Sequence, residues 1–285
     1  MNTLRILPVV FLLPFVSACG TSSAEPESVE NVTIVHEIQT EEVRYEGGGA
    51  ELNGYLAYPL GASAEDKLPG VIVVHEWWGH NDYARRRADQ LASLGYVAFA
   101  LDMFGDGKLA EHPDDAGAFA KEATSNPERM SARFGAALSQ LQSRDFVDTS
   151  KTAAIGYCMG GGVVLNMTRL GADLDLVASF HGSLPTEGDF GATERERAEV
   201  LVFTGAADPF VPAEKVEAFE DFFASAPGMS SLEVVSYPGV VHSFSNPDAT
   251  ATGEKFELPL RYDAAADQDS WQRFLSSLRN LRDSE

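Results

Sequence analysis

The chain has 285 residues, and 43 acidic against 21 basic side chains give it a formal net charge of −22. A chain this acidic is repelled by nucleic acid, and no basic patch offsets the charge, so nucleic acid is excluded as a partner. Hydrophobic residues make up 44% of the chain and charged residues 22%, which is ordinary for a globular protein.

Residues 1–19 have the layout of a bacterial secretory signal. A single positive charge, Arg5, precedes an apolar core at 6–16 that is too short to span a membrane as a helix. The run VSAC, ending at Cys19, is typical of a lipobox, in which cleavage precedes Cys19 and its sulfur carries the lipid. An ordinary cleaved signal is the alternative, because Val-Ser-Ala also suits a standard peptidase.

The polar residues 20–33 predict a flexible tether, and residues 34–285 are predicted to form one domain. Lipid on Cys19 implies an exported protein held on a membrane surface of the cell envelope. The absence of aspartate after Cys19 favours the periplasmic side of the outer membrane. Cys158 is the only other cysteine, so lipidation of Cys19 leaves it without a disulfide partner.

Short apolar runs alternate with amphipathic segments along the predicted domain. The runs predict strands at 43–45, 52–58, 70–76, 96–102, 152–158, 176–182, 200–205 and 232–239. The amphipathic segments predict helices at 82–94, 127–141, 160–170, 212–224 and 264–281. The last six strands are apolar throughout, as strands buried on both faces are. The alternation predicts an α/β fold with a mostly parallel sheet and helices on both faces. Active residues of such sheets lie on loops at the carboxyl ends of strands.

Cys158 lies at a sharp turn in AAIGYCMGGG, residues 153–162. A direct strand-to-helix turn strains the apex residue and brings its neighbours two places away so close that glycine suits them, here Gly156 and Gly160. The helix N-terminus favours a thiolate, and its N–H groups, especially that of Met159, can stabilise an oxyanion. These features favour a nucleophile; the alternative is a small apolar side chain that fills a tight turn.

Asp208, in GAADPFVP, and His242, in GVVHSF, each follow a later strand. An acyl-transfer triad on this kind of sheet needs nucleophile, acid and base in that chain order. In such a triad His242 takes the thiol proton, and Asp208 orients the imidazole and stabilises its charged form. Taken alone, each residue has a simpler interpretation: Asp208 as a turn residue and His242 as a loop residue without a catalytic role. Together with Cys158, they predict a triad.

The sequence resembles the dienelactone hydrolase family of α/β-hydrolases. The resemblance is carried, in family order, by VIVVHEWWG, GYVAFALDMFG, AAIGYCMGGG, TGAADPFVP and YPGVVHSF. It implies an α/β-hydrolase fold, catalytic Cys158, Asp208 and His242, and hydrolysis of a small carboxylic ester or lactone through a thioacyl intermediate. Two alternatives remain open: an acyltransferase or thioesterase with the same triad, and a non-catalytic envelope binding protein.

The same resemblance places the family's activating glutamate at Glu76 and its oxyanion hole at the backbone N–H groups of Met159 and Trp77. A carboxylate beside a thiol raises the thiol pKa. Alternatively, Glu76 accepts the thiol proton when substrate moves it, as the family is thought to do, or is a loop carboxylate without a role. Trp78 and Phe104, with Trp77, are predicted to line an apolar substrate pocket; ordinary packing is the alternative.

The chain departs from the family's best-known form at two substrate-binding arginines, where it has Asp106 and Asn246. An anionic lactone would meet Asp106, so a neutral ester is favoured over dienelactone itself. His181 either faces the site or has a structural role. No metal is predicted, because His75 and His80 are five residues apart and the zinc motif needs four. No cofactor is predicted, because phosphate-binding and dinucleotide motifs are missing from the sequence.

Overall fold

The computed structural model describes residues 35–193 and 196–284. The predicted signal at 1–19, the lipid site at Cys19 and the tether at 20–33 lie outside the described residues. Within the described ranges, no helix is long and apolar enough to cross a membrane.

Eight strands form one sheet: β1 (Ile38–Gly47), β2 (Ala50–Pro59), β3 (Leu68–Val74), β4 (Val97–Leu101), β5 (Val147–Tyr157), β6 (Leu176–Phe180), β7 (Arg197–Gly205) and β8 (Met229–Tyr237). Their order is β1-β2-β4-β3-β5-β6-β7-β8. The pairs β1–β2 and β2–β4 are antiparallel, and all later pairs are parallel. The prediction of a mostly parallel α/β sheet is confirmed.

The helices are α1 (Asp82–Ser93), α2 (Pro113–Thr124), α3 (Pro127–Gln142), α4 (Met159–Arg169), α5 (Ala213–Ala224), α6 (Ala249–Phe256) and α7 (Ala264–Asp283). The side chains of Asn81 and Asn126 cap α1 and α3 by accepting backbone N–H groups. The sequence analysis missed α2 and α6. In α2 only Ala116 and Ala123 are buried, so its apolar periodicity is weak.

The sheet separates two apolar layers. Ile72 and Val74 of β3 belong to one layer with side chains of α3, α4 and α5, whereas Val71 and Val73 belong to the other with side chains of α1 and α7. Both faces of the central strands β3, β4 and β6 are therefore covered, which explains why their sequences are mostly apolar, whereas β8 at the sheet edge has exposed positions. At the carboxyl edge of this sheet, the loops after β3, β5, β6, β7 and β8 carry Glu76, Cys158, His181, Asp208 and His242.

Candidate active site

Cys158 occupies the single residue between β5 and α4. Its backbone has φ 54° and ψ −115°, a conformation that L-residues adopt only at a cost. A Cβ on Gly156 would lie 2.1 Å from the carbonyl oxygen of Gly160, and one on Gly160 would lie 2.4 Å from that of Val74. The predicted need for glycine at both positions is thereby confirmed. The Cys158 side chain makes no capping hydrogen bond to α4, so its thiol is left for other partners.

His242 and Asp208 are hydrogen bonded. The Nδ1 of His242 lies 2.7 Å from Oδ2 of Asp208, and both residues are buried. The other carboxylate oxygen of Asp208 accepts the backbone N–H of Phe210 at 2.8 Å. An ionised carboxylate can only accept, so Nδ1 carries a proton and Nε2 is the nitrogen available to the thiol.

The charge on His242 depends on Cys158. Burial lowers the pKa of His242, but the negative charge of Cys158 and the hydrogen bonds with Asp208 and Cys158 together raise it to about 10. The Cys158 side chain also lies at the N-terminus of α4, where the helix dipole stabilises an anion.

Glu76 is buried and bonded to the loop that follows His242. One carboxylate oxygen accepts the hydroxyl of Ser243 at 3.0 Å, and the other accepts the side-chain N–H of Asn246 at 2.6 Å. Burial raises the pKa of Glu76, against the hydrogen bonds from Asn246 and Ser243 and the nearby positive charges. Glu76 is therefore hydrogen bonded to the loop that follows His242, and these two partners were not predicted from the sequence.

Replacing Glu76 by glutamine is expected to make the protein more stable at alkaline pH. Because the folded-state pKa of Glu76 is raised, its stabilising contribution is complete below the unfolded-state pKa and is lost as pH rises through the folded value. Glutamine cannot ionise and therefore avoids this loss. Thermal unfolding should show Glu76→Gln a few degrees above wild type at pH 8 and little different at pH 5.

Glu220→Gln, a change at an exposed position on α5, is the matched control and should shift the thermal midpoint much less than Glu76→Gln at pH 8. An equal rise in the thermal midpoint of Glu76→Gln at pH 8 and at pH 5 would contradict the assignment of the stability loss at alkaline pH to ionisation of Glu76.

A cavity of about 450 Å³ opens beside the thiol and the imidazole. Cys158, His242, Trp77 and Met159 all line it, as predicted for a nucleophile, its base and the two oxyanion-hole residues. The rest of the lining is mostly apolar and includes residues that the sequence analysis missed, namely Ala120, Thr124, Met130, Val163, Phe210 and Leu260. Phe210 packs edge-on against the His242 ring, with ring centroids 5.1 Å apart. Its position two residues after Asp208 is the feature of the sequence that indicates a place near the site.

The structure does not place Trp78 or Phe104 in this cavity, so both pocket predictions are wrong in their geometry. Trp78 stacks on Phe256, with ring centroids 5.9 Å apart, and lines a separate neighbouring cavity. Phe104 is buried in the core, edge-on to His75 and Phe119. Successive loop residues point in different directions, so only Trp77 of the three aromatic residues reaches the site.

The two departures from the family pattern also lie away from the cavity lining. Asp106 is largely exposed and pairs with Lys108 at 3.3 Å, and Asn246 is occupied by Glu76. Asp106 therefore does not line the cavity beside Cys158, so the contact predicted between it and an anionic substrate stays a prediction. Lys121, an exposed residue of α2, lies on the cavity rim instead.

Two histidines of HEWWGH are packed into the protein, with no metal-binding arrangement. His75 is fully buried, and its Nε2 accepts the backbone N–H of Met103 at 3.1 Å. His80 is also buried. Among the described residues, no three His, Cys, Asp or Glu side chains are placed to hold a metal ion.

Comparisons with known proteins identify the family of the chain. The model of the dienelactone hydrolase family matches residues 52–281. Protein usf of Aquifex pyrophilus is 31% identical over 237 residues, covering 80% of this chain and 93% of that protein. A putative carboxymethylenebutenolidase of Aquifex aeolicus is 27% identical over 210 residues, covering 72% and 86%.

A solved structure of similar fold is the dienelactone hydrolase-like promiscuous phosphotriesterase P91 from metagenomic libraries. It is 32% identical to this chain, with a TM-score of 0.77, and the match covers 86% of this chain and 98% of P91. The eight-stranded sheet described above is thus the α/β-hydrolase fold. The chain belongs to the dienelactone hydrolase family and is a hydrolase that acts on ester bonds.

Proposed function

We propose that the protein hydrolyses a carboxylic ester or lactone with Cys158 as nucleophile, His242 as base and Asp208 as the orienting acid. The observation that carries this proposal is the buried 2.7 Å hydrogen bond from His242 to Asp208 beside a cysteine at a strained turn. The raised pKa of His242 supports it, because it shows that the ring can hold a proton beside Cys158 and Asp208.

In the proposed mechanism, His242 holds the thiol proton and the Cys158 thiolate attacks the carbonyl carbon. The N–H groups of Met159 and Trp77 donate to the oxyanion, and Met159 suits this role because the first N–H groups of a helix lack helical partners. The proton on His242 passes to the leaving alcohol and leaves a thioester on Cys158. His242 then takes a proton from water, and the hydroxide attacks the carbonyl carbon of the thioester. The bond from this carbon to the Cys158 sulfur breaks, the carboxylic acid leaves, and His242 returns the proton to the sulfur.

In this mechanism Glu76 acts through the His242 loop. Its two hydrogen bonds reach Ser243, directly after His242, and Asn246, three residues further on. Ser243 has φ 56°, a left-handed conformation that persists only where surrounding contacts hold it. We therefore assign Glu76 to the orientation of His242, and not to direct removal of the thiol proton.

The proposed substrate is a neutral ester or lactone with an apolar acyl group of moderate size. The cavity volume of about 450 Å³ is within the range of small-molecule sites, and its apolar lining suits an uncharged acyl chain. A lactone is included because several relatives carry the name putative carboxymethylenebutenolidase. Among the described residues that line the cavity, Lys121 is the charged side chain apart from Cys158 and His242.

The test is to trap the acyl group. Wild-type protein mixed briefly with excess p-nitrophenyl butyrate and quenched in acid should carry a butyryl group on the Cys158 peptide, identified by mass spectrometry. Cys158→Ala should carry none. Continued hydrolysis with the acyl group on another residue would refute the proposal. Ester products formed from an added alcohol, in excess of the free acid, would instead favour the acyltransferase alternative.

We also propose that lipid on Cys19 tethers the domain to the cell envelope through residues 20–33. The support is the sequence alone, with its short apolar core and the VSAC run. The expected result is a membrane-bound wild type and a Cys19→Ser variant that no longer incorporates labelled palmitate. Equal labelling of both would refute lipidation at this residue.

A further inference from the structure

His181, which the proposed mechanism does not use, lies directly beneath the catalytic groups. It follows the last residue of β6, is fully buried, and has φ 42°. Its ring meets the His242 ring edge-on, with centroids 5.3 Å apart. A buried histidine with left-handed backbone beside a catalytic base is held there by specific contacts.

The contacts of His181 fix which ring nitrogen carries its proton. The backbone N–H of Cys158 donates both to the carbonyl of Phe180 at 3.0 Å and to Nδ1 of His181 at 3.1 Å. Because a backbone N–H only donates, Nδ1 is unprotonated and the proton is on Nε2. Nε2 then donates to the hydroxyl of Ser245 at 2.8 Å. Burial, with the charges of His242 and Arg87, lowers the pKa of His181 well below its ordinary value, so the ring is neutral.

The chain of hydrogen bonds continues to α1. The Ser245 hydroxyl lies 2.8 Å from the hydroxyl of Tyr83, which donates to the Ser245 carbonyl at 3.0 Å. Arg87 donates to the same carbonyl at 2.8 Å and pairs with Asp267. Ser245 is three residues after His242, so this network anchors the loop that carries the base.

We propose that His181 is a positioning residue that joins the Cys158 turn to the His242 loop and sets the separation of thiol and imidazole. Its ring is hydrogen bonded to both, through the N–H of Cys158 and the hydroxyl of Ser245. Cys158 and Ser243 both have left-handed backbones that relax unless neighbouring contacts hold them. A displacement of about 1 Å between reacting groups lowers a rate by about 10²-fold. The inference rests on the proposed cysteine mechanism.

The test compares His181→Ala, His181→Asn and Ser245→Ala with wild type. His181→Ala should lower kcat for p-nitrophenyl butyrate by about 10- to 100-fold, with KM within about threefold. It should also move the pH midpoint for alkylation of Cys158 by iodoacetamide upward, because the thiolate is further from His242. His181→Asn should recover part of kcat, since its amide oxygen replaces Nδ1 as acceptor and asparagine tolerates a left-handed backbone.

Ser245→Ala keeps the hydrogen bond between His181 and the backbone N–H of Cys158 and removes only the hydrogen bond from His181 to the His242 loop. It therefore tests the proposal even where a His181 variant does not fold. It should lower kcat by about tenfold and shift the alkylation midpoint in the same direction. Tyr96→Phe, which removes a buried hydroxyl without a partner among the described residues, is the matched control and should change neither.

A merely structural role predicts lower thermal stability with wild-type kcat per titrated active site and an unchanged alkylation midpoint. That result in His181→Ala and Ser245→Ala would overturn the inference. It is distinguishable from failure of the cysteine mechanism, which would appear as activity that survives in Cys158→Ala.

Discussion

Replacing Cys158 by alanine is expected to lower kcat/KM for p-nitrophenyl butyrate by at least about 10³-fold, or about 4 kcal/mol of transition-state stabilisation. The variant retains the cavity, His242 and the helix N-terminus, but no atom remains to form the thioester. His242 also loses the negative charge that helps to raise its pKa. Initial rates over a substrate series, corrected for any rate without enzyme, give this ratio.

Cys158→Ser is the matched variant, because serine and alanine meet the same left-handed backbone at this turn. A hydroxyl is a much weaker acid than a thiol, so the variant should fall well below wild type and stay above Cys158→Ala. Thermal midpoints of both variants within a few degrees of each other show that folding is not the cause. Wild-type rates in Cys158→Ala would identify another nucleophile.

Replacing Gly160 by alanine is expected to destabilise the protein by more than about 4 kcal/mol, which is most of the stability of a domain at the lower end of the ordinary range of about 5–15 kcal/mol. The added Cβ would lie 2.4 Å from the carbonyl oxygen of Val74 and 2.6 Å from that of His75. Both obstacles are backbone at the end of β3, so no side-chain rotation relieves the contact. The N-terminus of α4 must move away from the sheet, and Cys158 moves with it.

Gly117→Ala in α2 and Gly135→Ala in α3 are controls for the same chemical change. A Cβ at either position meets no atom within 4 Å, and alanine in a helix is about 0.5–1 kcal/mol more favourable than glycine. Urea unfolding should therefore show both controls at or above the wild-type midpoint, and Gly160→Ala with little soluble folded protein. An unchanged midpoint for Gly160→Ala would show that α4 does not approach β3 this closely.

The turn at Cys158 shows which structural features can be predicted from residues close together in the sequence. A Cβ on Gly156 would collide with atoms of Gly160, four residues along the chain, so the need for glycine there follows from the local turn. A Cβ on Gly160 would instead collide with the distant Val74 and His75 at the end of β3. The order Cys158, Asp208, His242 likewise follows from which strand precedes each residue. The central strands β3, β4, β6 and β7 were predicted because each contains an apolar run that is buried on both faces.

Hydrogen bonds between side chains on different loops could not be predicted from the local sequence. Glu76 bonds Asn246, which is 170 residues away, and His181 bonds Ser245, which is 64 residues away. Trp78 and Phe104 were assigned to the wrong surroundings because a loop residue's direction depends on its backbone angles and not on its apolar character. No periodic pattern encodes such angles in a loop.

The sequence by itself therefore determined the α/β alternation, the sharp turn at Cys158 and the chain order of the proposed triad, because these depend on apolar runs and on the order of residues along the chain. Only the tertiary structure decided which residues line the cavity, what Glu76 holds and how His181 connects two loops. Those contacts arise where the register of parallel strands brings distant loops to one edge of the sheet, and small backbone rotations there select each side chain's partner.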